Sequence, residues 1–238
     1  VLLWATATFA YADDNGSSQS IQFDPIALFR LVPNLTAATR VHDAIYQAKG
    51  IGNTNMVITE EGNVVIDTSL AQFAPHHKRK LQAIDSGPIK YIILTHAHAD
   101  HTGGLAIWKE EATKVVTHKS CTEFLNYQTR LSRFFAVRNA AQFNLPRIAS
   151  RLNASRSKID ADIVFDEEFQ FELGGVRFEL HHTPGETYDH VSVWIPQYKA
   201  AFVGDNYYRA FPNLYTLRGT RPRWALDYVA SLNKVLSW

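Results

Sequence analysis

Residues 95–104 read THAHADHTGG, and they follow directly on the apolar run IKYIIL at 89–94. The apolar run lies between Pro88 and this polar stretch, which is typical of a strand buried on both faces. Imidazole nitrogen and carboxylate oxygen are the ligands of a borderline cation such as zinc. The sequence therefore predicts a metal site at this strand end, formed by His96, His98, Asp100 and His101.

The spacing of these four residues allows them to serve two metal ions. Neighbouring residues on a strand end or a tight turn point in different directions. We therefore predict that His96 and His98 face one ion, and that Asp100 and His101 face a second. The chain has a single cysteine, Cys121, which cannot build a thiolate site. The alternative is that the polar residues only cap the helix that follows.

Two later strands deliver polar residues in the same way. VRFEL at 176–180 runs into HHTPGE at 181–186, and AAFV at 200–203 runs into GDN at 204–206. Active sites of open α/β layers gather at the carboxyl ends of strands, so we expect these three strand ends to converge. The histidines outside this pattern are predicted to be surface or structural residues: His42, His76, His77 and His118.

The composition is that of an ordinary soluble globular protein. The chain has 238 residues, 46% of them hydrophobic and 20% charged, and a formal net charge of +1. This length suits one large domain. The balanced charge gives no reason to expect nucleic acid or stable membrane insertion.

Strands and helices alternate after residue 40. Strands are predicted at 41–50 and 54–69, with Glu61-Gly62-Asn63 as a hairpin turn. A helix is predicted over 70–85 and a basic helical stretch over 122–152. The same criteria predict a helix at 104–112, strands at 113–118, 169–173, 176–182, 191–196 and 199–205, and a last helix at 223–238.

The basic stretch has two interpretations. Between Lys119 and Lys158 there are eight Lys or Arg residues and one acid, Glu123. A solvated helical face explains this composition. The alternative is a positive wall that attracts an anionic substrate.

The chain ends carry two further expectations. Residues 1–12, VLLWATATFAYA, are apolar and uncharged, and Ala10-Tyr11-Ala12 has the form of a signal cleavage site. We predict a signal-peptide remnant and a secreted or periplasmic protein; the alternative is a buried first strand. The domain then covers 13–238, and it is predicted to be incomplete because the last helix ends without a stop signal.

The stretch THAHADHTGG resembles the signature of the metallo-β-lactamase superfamily, and the resemblance covers about residues 40–238. It implies an α/β (α+β) fold, the αββα sandwich of two mixed β-sheets flanked by helices, with one or two zinc ions. Glu186, in TPGET, stands where most of the superfamily has a histidine. This departure, with GDN and with FPNLYTLRG at 211–219, is similar to the zinc-dependent alkyl sulfatases.

The resemblance implies a role for each matching residue. The first zinc would be bound by His96, His98 and Glu186, with His182 as the rival of Glu186. The second would be bound by Asp100 and His101, Asp205 would bridge the pair, and Asn213 and Arg218 would hold sulfate. The family supplies one more histidine to the second zinc, but none follows His190 here, so that site is expected to be incomplete.

The implied function is hydrolysis of alkyl or aryl sulfate esters, with Asp100 and Asp205 as catalytic carboxylates. Two divalent ions about 3.5–4 Å apart lower the pKa of a shared water and hold hydroxide as the nucleophile. The partner would be a small anionic ester, and a homodimer is allowed. The neighbouring aromatic residues either line an apolar slot or pack in the core: Tyr207, Tyr208, Phe211 and Tyr215. The alternatives are a lactonase or β-lactamase-like hydrolase, and a metal-binding member without catalysis.

Overall fold

The computed structural model describes residues 8–12, 18–22, 38–142, 159–208, 210, 212–216 and 219–238. Two β-sheets of seven and four strands lie face to face, and helices cover their outer sides. The αββα sandwich implied by the sequence is confirmed.

The larger sheet is mixed. Its strands are hydrogen-bonded in sequence order: β3 Thr39–His42, β4 Ile45–Ala48, β5 Thr54–Thr59, β6 Gly62–Ile66, β7 Ile89–Ile93, β8 Lys114–His118 and β9 Ile163–Phe165. Strands β3 to β6 are antiparallel, whereas β6 to β9 are parallel. The carboxyl ends of β6, β7 and β8 therefore meet at one edge of the sandwich. The predicted metal-ligand motif, residues 95–104, follows β7 at this edge.

The smaller sheet is antiparallel throughout. Its strands are also in sequence order: β10 Glu168–Leu173, β11 Val176–His182, β12 Val191–Ile195 and β13 Ala200–Phe202. Single-turn 3-10 helices follow β12 and β13, at Pro196–Tyr198 and Gly204–Asn206. The second of these carries the GDN motif to the same edge of the sandwich.

Two apolar layers hold the sandwich together. Alternate residues of β5, β6 and β7, such as Met56 and Val57, point to opposite faces of the large sheet and belong to different clusters. One cluster packs between the sheets, and the other packs under the helices. Six α-helices are described: α1 Ala74–Gln82, α2 Ala99–Thr102, α3 Leu105–Trp108, α4 Cys121–Arg130, α5 Ser132–Gln142 and α6 Ala225–Leu236.

Helices cover the outer side of each sheet. Helix α1 buries Ala74, His77 and Leu81, a spacing that places them on one face toward the large sheet. Helix α6 lies over the small sheet, where Ser231 Oγ donates to the carbonyl of Pro184 at 2.7 Å. Trp238, beyond that helix, contacts the ring of His181.

Several predicted boundaries differ from the structure; the helix predicted at 104–112, for example, is only Leu105–Trp108. Residues 41–50 are not one strand, because a turn at Asp43–Ala44 divides them between β3 and β4. The β5–β6 turn is shorter than predicted and begins one residue earlier: Thr59 pairs with Gly62, which leaves only residues 60 and 61 in the turn. The predicted helical stretch over 122–152 is two helices, and its part beyond 142 lies outside the described residues.

The start of the chain forms a small separate sheet. Strand β1, Thr8–Ala12, pairs with β2, Ser18–Gln22, in antiparallel register. Residues 1–7 lie outside the described residues, so the signal peptide stays a prediction beside the strand that the structure shows at 8–12. Within the described ranges, no helix combines the length and the apolar character needed to span a bilayer.

Candidate metal centre

The metal-ligand motif begins where β7 ends and passes into the short helix α2. Thr95 is held by the Asp67 carboxylate, which accepts from its backbone N and from its Oγ1, each at 2.8 Å. His98 has extended backbone (φ −70°, ψ 149°) and immediately precedes α2. The change from extended to helical backbone turns His96, His98 and His101 toward one point instead of opposite faces.

Two groups of ligand atoms lie at this point. Within each group the nitrogen and oxygen atoms lie within 4.8 Å of one another: His96, His101 and Asp205 in one, and His98, Glu186 and Asp205 in the other. Asp205 belongs to both. His96 Nε2 is 2.9 Å from His98 Nδ1, so the two groups adjoin.

His101 is positioned by a buried carboxylate. Its Nδ1 lies 2.8 Å from Asp67 Oδ2, and its Nε2 lies 3.3 Å from Asp205 Oδ1. Burial disfavours the charged imidazole, but the charges of Asp67 and Asp100 outweigh that cost and raise the pKa of His101 well above its usual value. The ring is thus fixed with one nitrogen on Asp67 and the other toward the shared carboxylate.

The surroundings keep His96 neutral and Asp205 charged. Burial is the main cause that lowers the pKa of His96 well below its usual value, and repulsion from His101 and His98 adds to it. Burial of Asp205 opposes its charge, but the hydrogen bond and attraction from His101 outweigh this and lower the pKa of Asp205 to about 2. A neutral imidazole and an ionised carboxylate are the forms that bind a metal ion.

Asn206 fixes the loop that carries Glu186. Its Oδ1 accepts from the backbone N of Glu186 at 2.9 Å, and its Nδ2 donates to the carbonyl of Thr183 at 2.7 Å. Gly185 is required by this contact, because a Cβ there would lie 2.4 Å from Asn206 Oδ1. The β11–β12 loop is therefore attached to the residue next to Asp205.

Glu186 also forms a buried ion pair with Arg223. The guanidinium reaches both carboxylate oxygens at 2.5 Å, and both residues are only 6% exposed. Glu186 Oε1 lies 3.6 Å from His98 Nδ1 as well. Arg223 Nη1 in addition donates to the carbonyl of Asn213 at 2.6 Å. One arginine thus joins the Glu186 carboxylate to the segment that contains Asn213.

His182, the rival of Glu186, lies elsewhere. Its Nε2 is 2.8 Å from the carbonyl of Tyr188, and its ring stacks on His118 with centroids 4.0 Å apart. It belongs to neither ligand group of the described residues. The geometry therefore brings Glu186, not His182, to the centre.

His190 is a further histidine next to the centre. It is fully buried, stacks on His96, and has its pKa lowered by burial to about 3.

The other predicted site residues differ from the prediction or lie outside the described residues. Asp100 Oδ2 lies 3.7 Å from His101 Nε2, at the partly exposed rim, and outside both ligand groups. His96 groups with His101 rather than with Glu186, because the His96 and His101 rings are in contact at 4.1 Å. Asn213 is exposed, and Arg218 lies outside the described residues, as does Phe211.

Three residues of the centre were not found from the sequence, Asp67, Asp189 and Arg223, and Asn206 was noted only as part of GDN at 204–206, without a role. Asp67 follows the apolar run of β6 directly, and this strand-end position is the signal that could have indicated it. Asp189 accepts from the backbone N of Ala97 at 2.9 Å, and burial raises its pKa to about 6. Arg223 carries no sequence signal, because its partner is known only from the fold.

A cavity of about 290 Å³ opens beside His101 and Asp205. Its base contains Ile66, Asp67 and Thr95. One wall comes from β4, β5 and the loop between them, and the opposite wall comes from residues 201–205 and Tyr207, which is 68% exposed. The aromatic residue Tyr215 is also exposed, which contradicts core packing for these two tyrosines. The cavity thus provides space for a small molecule next to the ligand groups.

The donor set fits a divalent metal. Three imidazoles and two carboxylates meet in two adjoining groups, and the shared Asp205 is the type of residue that can bridge two ions. A divalent cation in either group would offset the negative charge of the buried carboxylates Asp205 and Glu186. These residues suit zinc, and imidazole and carboxylate also suit other first-row metals.

Comparison with known proteins agrees with this geometry. The family model described as "Metallo-beta-lactamase superfamily" matches residues 48–217. The (R)-specific secondary-alkylsulfatase of Pseudomonas sp. is 24% identical over 98% of this chain and 40% of its own length. The linear primary-alkylsulfatase of Pseudomonas sp. (strain ATCC 19151) is 26% identical over 76% of this chain and 38% of its own length. The chain thus spans about two fifths of the length of these relatives.

Solved structures share the fold. The inverting sec-alkylsulfatase Pisa1 from Pseudomonas sp. superposes with a TM-score of 0.75 at 22% identity, over 97% of this chain and 43% of that one. The FEZ-1 metallo-beta-lactamase from Legionella gormanii gives a TM-score of 0.60 at 20% identity, over 87% of this chain and 77% of that one.

Proposed function

The chain belongs to the metallo-β-lactamase superfamily, and on that premise we propose that it is a hydrolase that cleaves alkyl or aryl sulfate esters at a centre of two zinc ions. The observation that carries the proposal is the pair of adjoining ligand groups that share Asp205. Two relatives are named as alkylsulfatases, which supports a sulfate ester as the substrate. The glutamate at position 186 is part of the convergent set.

Each of the two ligand groups would hold one zinc ion. One ion would be bound by His96, His101 and Asp205, and the other by His98, Glu186 and Asp205. Such ions supply Lewis acidity and a nucleophilic water at neutral pH. Asp100, at the rim next to His101, is the carboxylate that we assign to orient the attacking water and accept its proton. We assign Asn213 and Arg218 to the sulfate group, because a guanidinium binds such oxyanions with paired hydrogen bonds.

The metal content of the chain is the first test. Plasma emission spectrometry of purified chain is expected to find about two zinc ions per chain. His98→Ala should lower this value, whereas His76→Ala, which changes a histidine of helix α1 remote from the ligand groups, should not. One ion per chain in the wild type would contradict the dinuclear centre. No metal under zinc-replete conditions would overturn the hydrolase proposal itself.

Sulfate release is the second test. The zinc-loaded chain is expected to release sulfate from alkyl or aryl sulfates, and Arg218→Ala should abolish release while the zinc content is unchanged. Hydrolysis of lactones or β-lactams alone would favour the lactonase or β-lactamase-like alternative. Zinc binding without turnover of any ester would favour a member that has lost catalysis.

We also propose that the protein acts outside the cytoplasm. The proposal is supported by the apolar stretch at 1–12 and its Ala-Tyr-Ala sequence. Fractionation of cells that express the complete protein, with N-terminal sequencing of the product, tests it. A product found in the cytoplasm with residues 1–12 retained would contradict it.

A further inference from the structure

The face of the large sheet that points toward the small sheet changes from apolar to partly polar along its strands. In one row, Ile45 of β4 pairs with Val57 of β5, which pairs with Val64 of β6, and all three are buried in the core. Two residues along each strand, on the same face, the corresponding row contains Gln47, Asn55 and Ile66. On β4 and β5, amide side chains thus replace aliphatic ones two residues further along the strand.

This amide row forms a wall of the cavity beside His101 and Asp205. Gln47 and Asn55 both line the cavity, and Asn53 joins them from the β4–β5 loop. Gln47 Nε2 donates to Asn55 Oδ1 at 3.0 Å, which aligns the two amides. Each amide group carries two N–H donors and an oxygen with two lone pairs. The pair therefore retains donors and acceptors for a ligand after binding each other.

The β4–β5 loop, which completes the wall, packs closely against helix α2. A Cβ on Gly52 would lie 1.6 Å from the carbonyl oxygen of Asp100, and Gly52 has a φ of +68° that favours glycine. Ser69 Oγ donates to the carbonyl of Ile51 at 2.9 Å. Asn53 Oδ1 accepts from the backbone N of Gly50 at 3.3 Å. The amide wall is therefore preformed and rigidly placed relative to the centre.

The described lining of the cavity is also neutral apart from residues of the centre. Its acidic members, Asp67 and Asp205, are engaged by His101. None of the described residues that line it is Lys or Arg. The amide wall suits neutral hydrogen-bonding groups better than a long alkyl chain, because an alkyl chain would leave unpaired the donors and acceptors that remain after Gln47 and Asn55 bond each other.

We propose that the cavity binds the alcohol part of the substrate, and that this part is a neutral, hydroxyl-bearing group such as a sugar or short polyol. The inference rests on the proposed sulfatase function for the reaction, but it concerns a different part of the substrate. Gln47 and Asn55 are the residues that determine specificity, with Asn53 beside them. The hydroxyl groups of the ligand would exchange hydrogen bonds with both amides, next to the site where the ester bond is cleaved.

Two variants test this inference. Asn55→Leu keeps a side chain that branches at Cγ and removes its hydrogen bonds, and Gln47→Leu removes those of the neighbouring strand in case the first variant does not fold. Asn126→Leu, which changes an exposed amide on α4, is the matched control. Circular dichroism melting checks that each protein is folded. The zinc-loaded chain is assayed with glucose 6-sulfate and with hexyl sulfate.

The wild type should have the higher kcat/KM for glucose 6-sulfate, and Asn55→Leu should lower that value about tenfold or more, without lowering that for hexyl sulfate. Ligand-observed NMR with methyl glucoside gives a readout without turnover, and its signal should be lost in Asn55→Leu but kept in Asn126→Leu. Hydrolysis that favours hexyl sulfate and is unchanged in Asn55→Leu would overturn the inference and leave the sulfatase proposal intact. Methyl glucoside binding that depends on Asn55, with no sulfate ester cleaved, would support the cavity and overturn the sulfatase proposal.

Discussion

The Asp67 carboxylate lies 2.8 Å from Nδ1 of His101 and also accepts two hydrogen bonds from Thr95, at the start of the metal-ligand motif. It is almost completely buried, with 4% exposure. A residue directly after β6 thereby sets the orientation of a ring on α2, and it leaves Nε2 of that ring facing Asp205. The arrangement matches the carboxylate–histidine pairs that support metal ligands in other proteins.

Asp67→Asn should weaken zinc binding by about ten- to a hundredfold, because the amide holds the His101 ring less firmly and no longer increases its basicity. Competition with a chromophoric chelator measures the affinity. Asp43→Asn, which changes an exposed aspartate paired with Arg40, is the matched control and should bind zinc like the wild type. Equal affinity in both variants would show that Asp67 does not support the centre.

Arg223→Met should destabilise the metal-free chain by about 3–5 kcal/mol, because it leaves the Glu186 carboxylate buried without its cation. Urea denaturation measures the free energy of unfolding. The double variant Arg223→Met/Glu186→Gln should recover part of the loss, since it removes the uncompensated charge. Arg221→Met breaks an exposed pair with Glu123 and should cost no more than about 1 kcal/mol. Similar losses for the two arginines would contradict the buried ion pair.

Zinc should restore part of the stability that Arg223→Met removes. A cation next to Glu186 replaces the lost positive charge, and ligands that bind only the folded state stabilise it by mass action. The measurement is the urea midpoint of each variant with and without saturating zinc. If zinc shifts the midpoint of the variant no more than that of the wild type, Glu186 is not a zinc ligand.

The free energy of unfolding should fall as the pH falls from about 6.5 to 4, in part through His77. Burial lowers the pKa of His77 to about 4, and its nitrogens lie 3.0 Å from Thr54 Oγ1 and 3.1 Å from the carbonyl of Lys49. In this pH range the unfolded chain binds a proton that the folded chain excludes, so stability is lost as the pH falls. The slope from one such group is about 1.4 kcal/mol per pH unit.

His77→Gln should make that slope shallower by about the contribution of one proton. Urea denaturation of the metal-free proteins at several pH values between 4 and 7 measures it. Parallel curves for the wild type and the variant would show that His77 does not titrate differently in the folded and unfolded states.

Asn206→Ala should destabilise the chain by about 1–3 kcal/mol and lower zinc affinity, because it leaves the Glu186 N–H and the Thr183 carbonyl buried without their partner. Thermal melting and chelator competition measure the two effects. Asn126→Ala, on the exposed side of α4, is the control and should change neither. Normal zinc affinity in a destabilised Asn206→Ala chain would limit Asn206 to a structural role.

Local sequence patterns were sufficient for the framework of this protein. The apolar run at 89–94 predicted the buried strand β7, and the motif after it placed His96, His98 and His101 at one strand end, although the predicted pairing of His96 with His98 and of Asp100 with His101 is not the grouping in the structure. These predictions succeed because strand burial and the placement of residues at a strand end depend on neighbours in sequence. The turn at residues 60 and 61 was misplaced by one residue, since its position depends on the β5–β6 register rather than on turn residues alone.

The support of the centre was decided by tertiary structure. Asp67 contacts His101 across 34 positions of sequence, Arg223 contacts Glu186 across 37, and Asp189 contacts Ala97 across 92. No local period or spacing relates such residues. The polar residues after β7, β11 and β13 thus indicated from sequence which side chains could bind a metal. The packing of the two sheets determined which buried charges orient them, because those charges meet only when the strand ends share one edge.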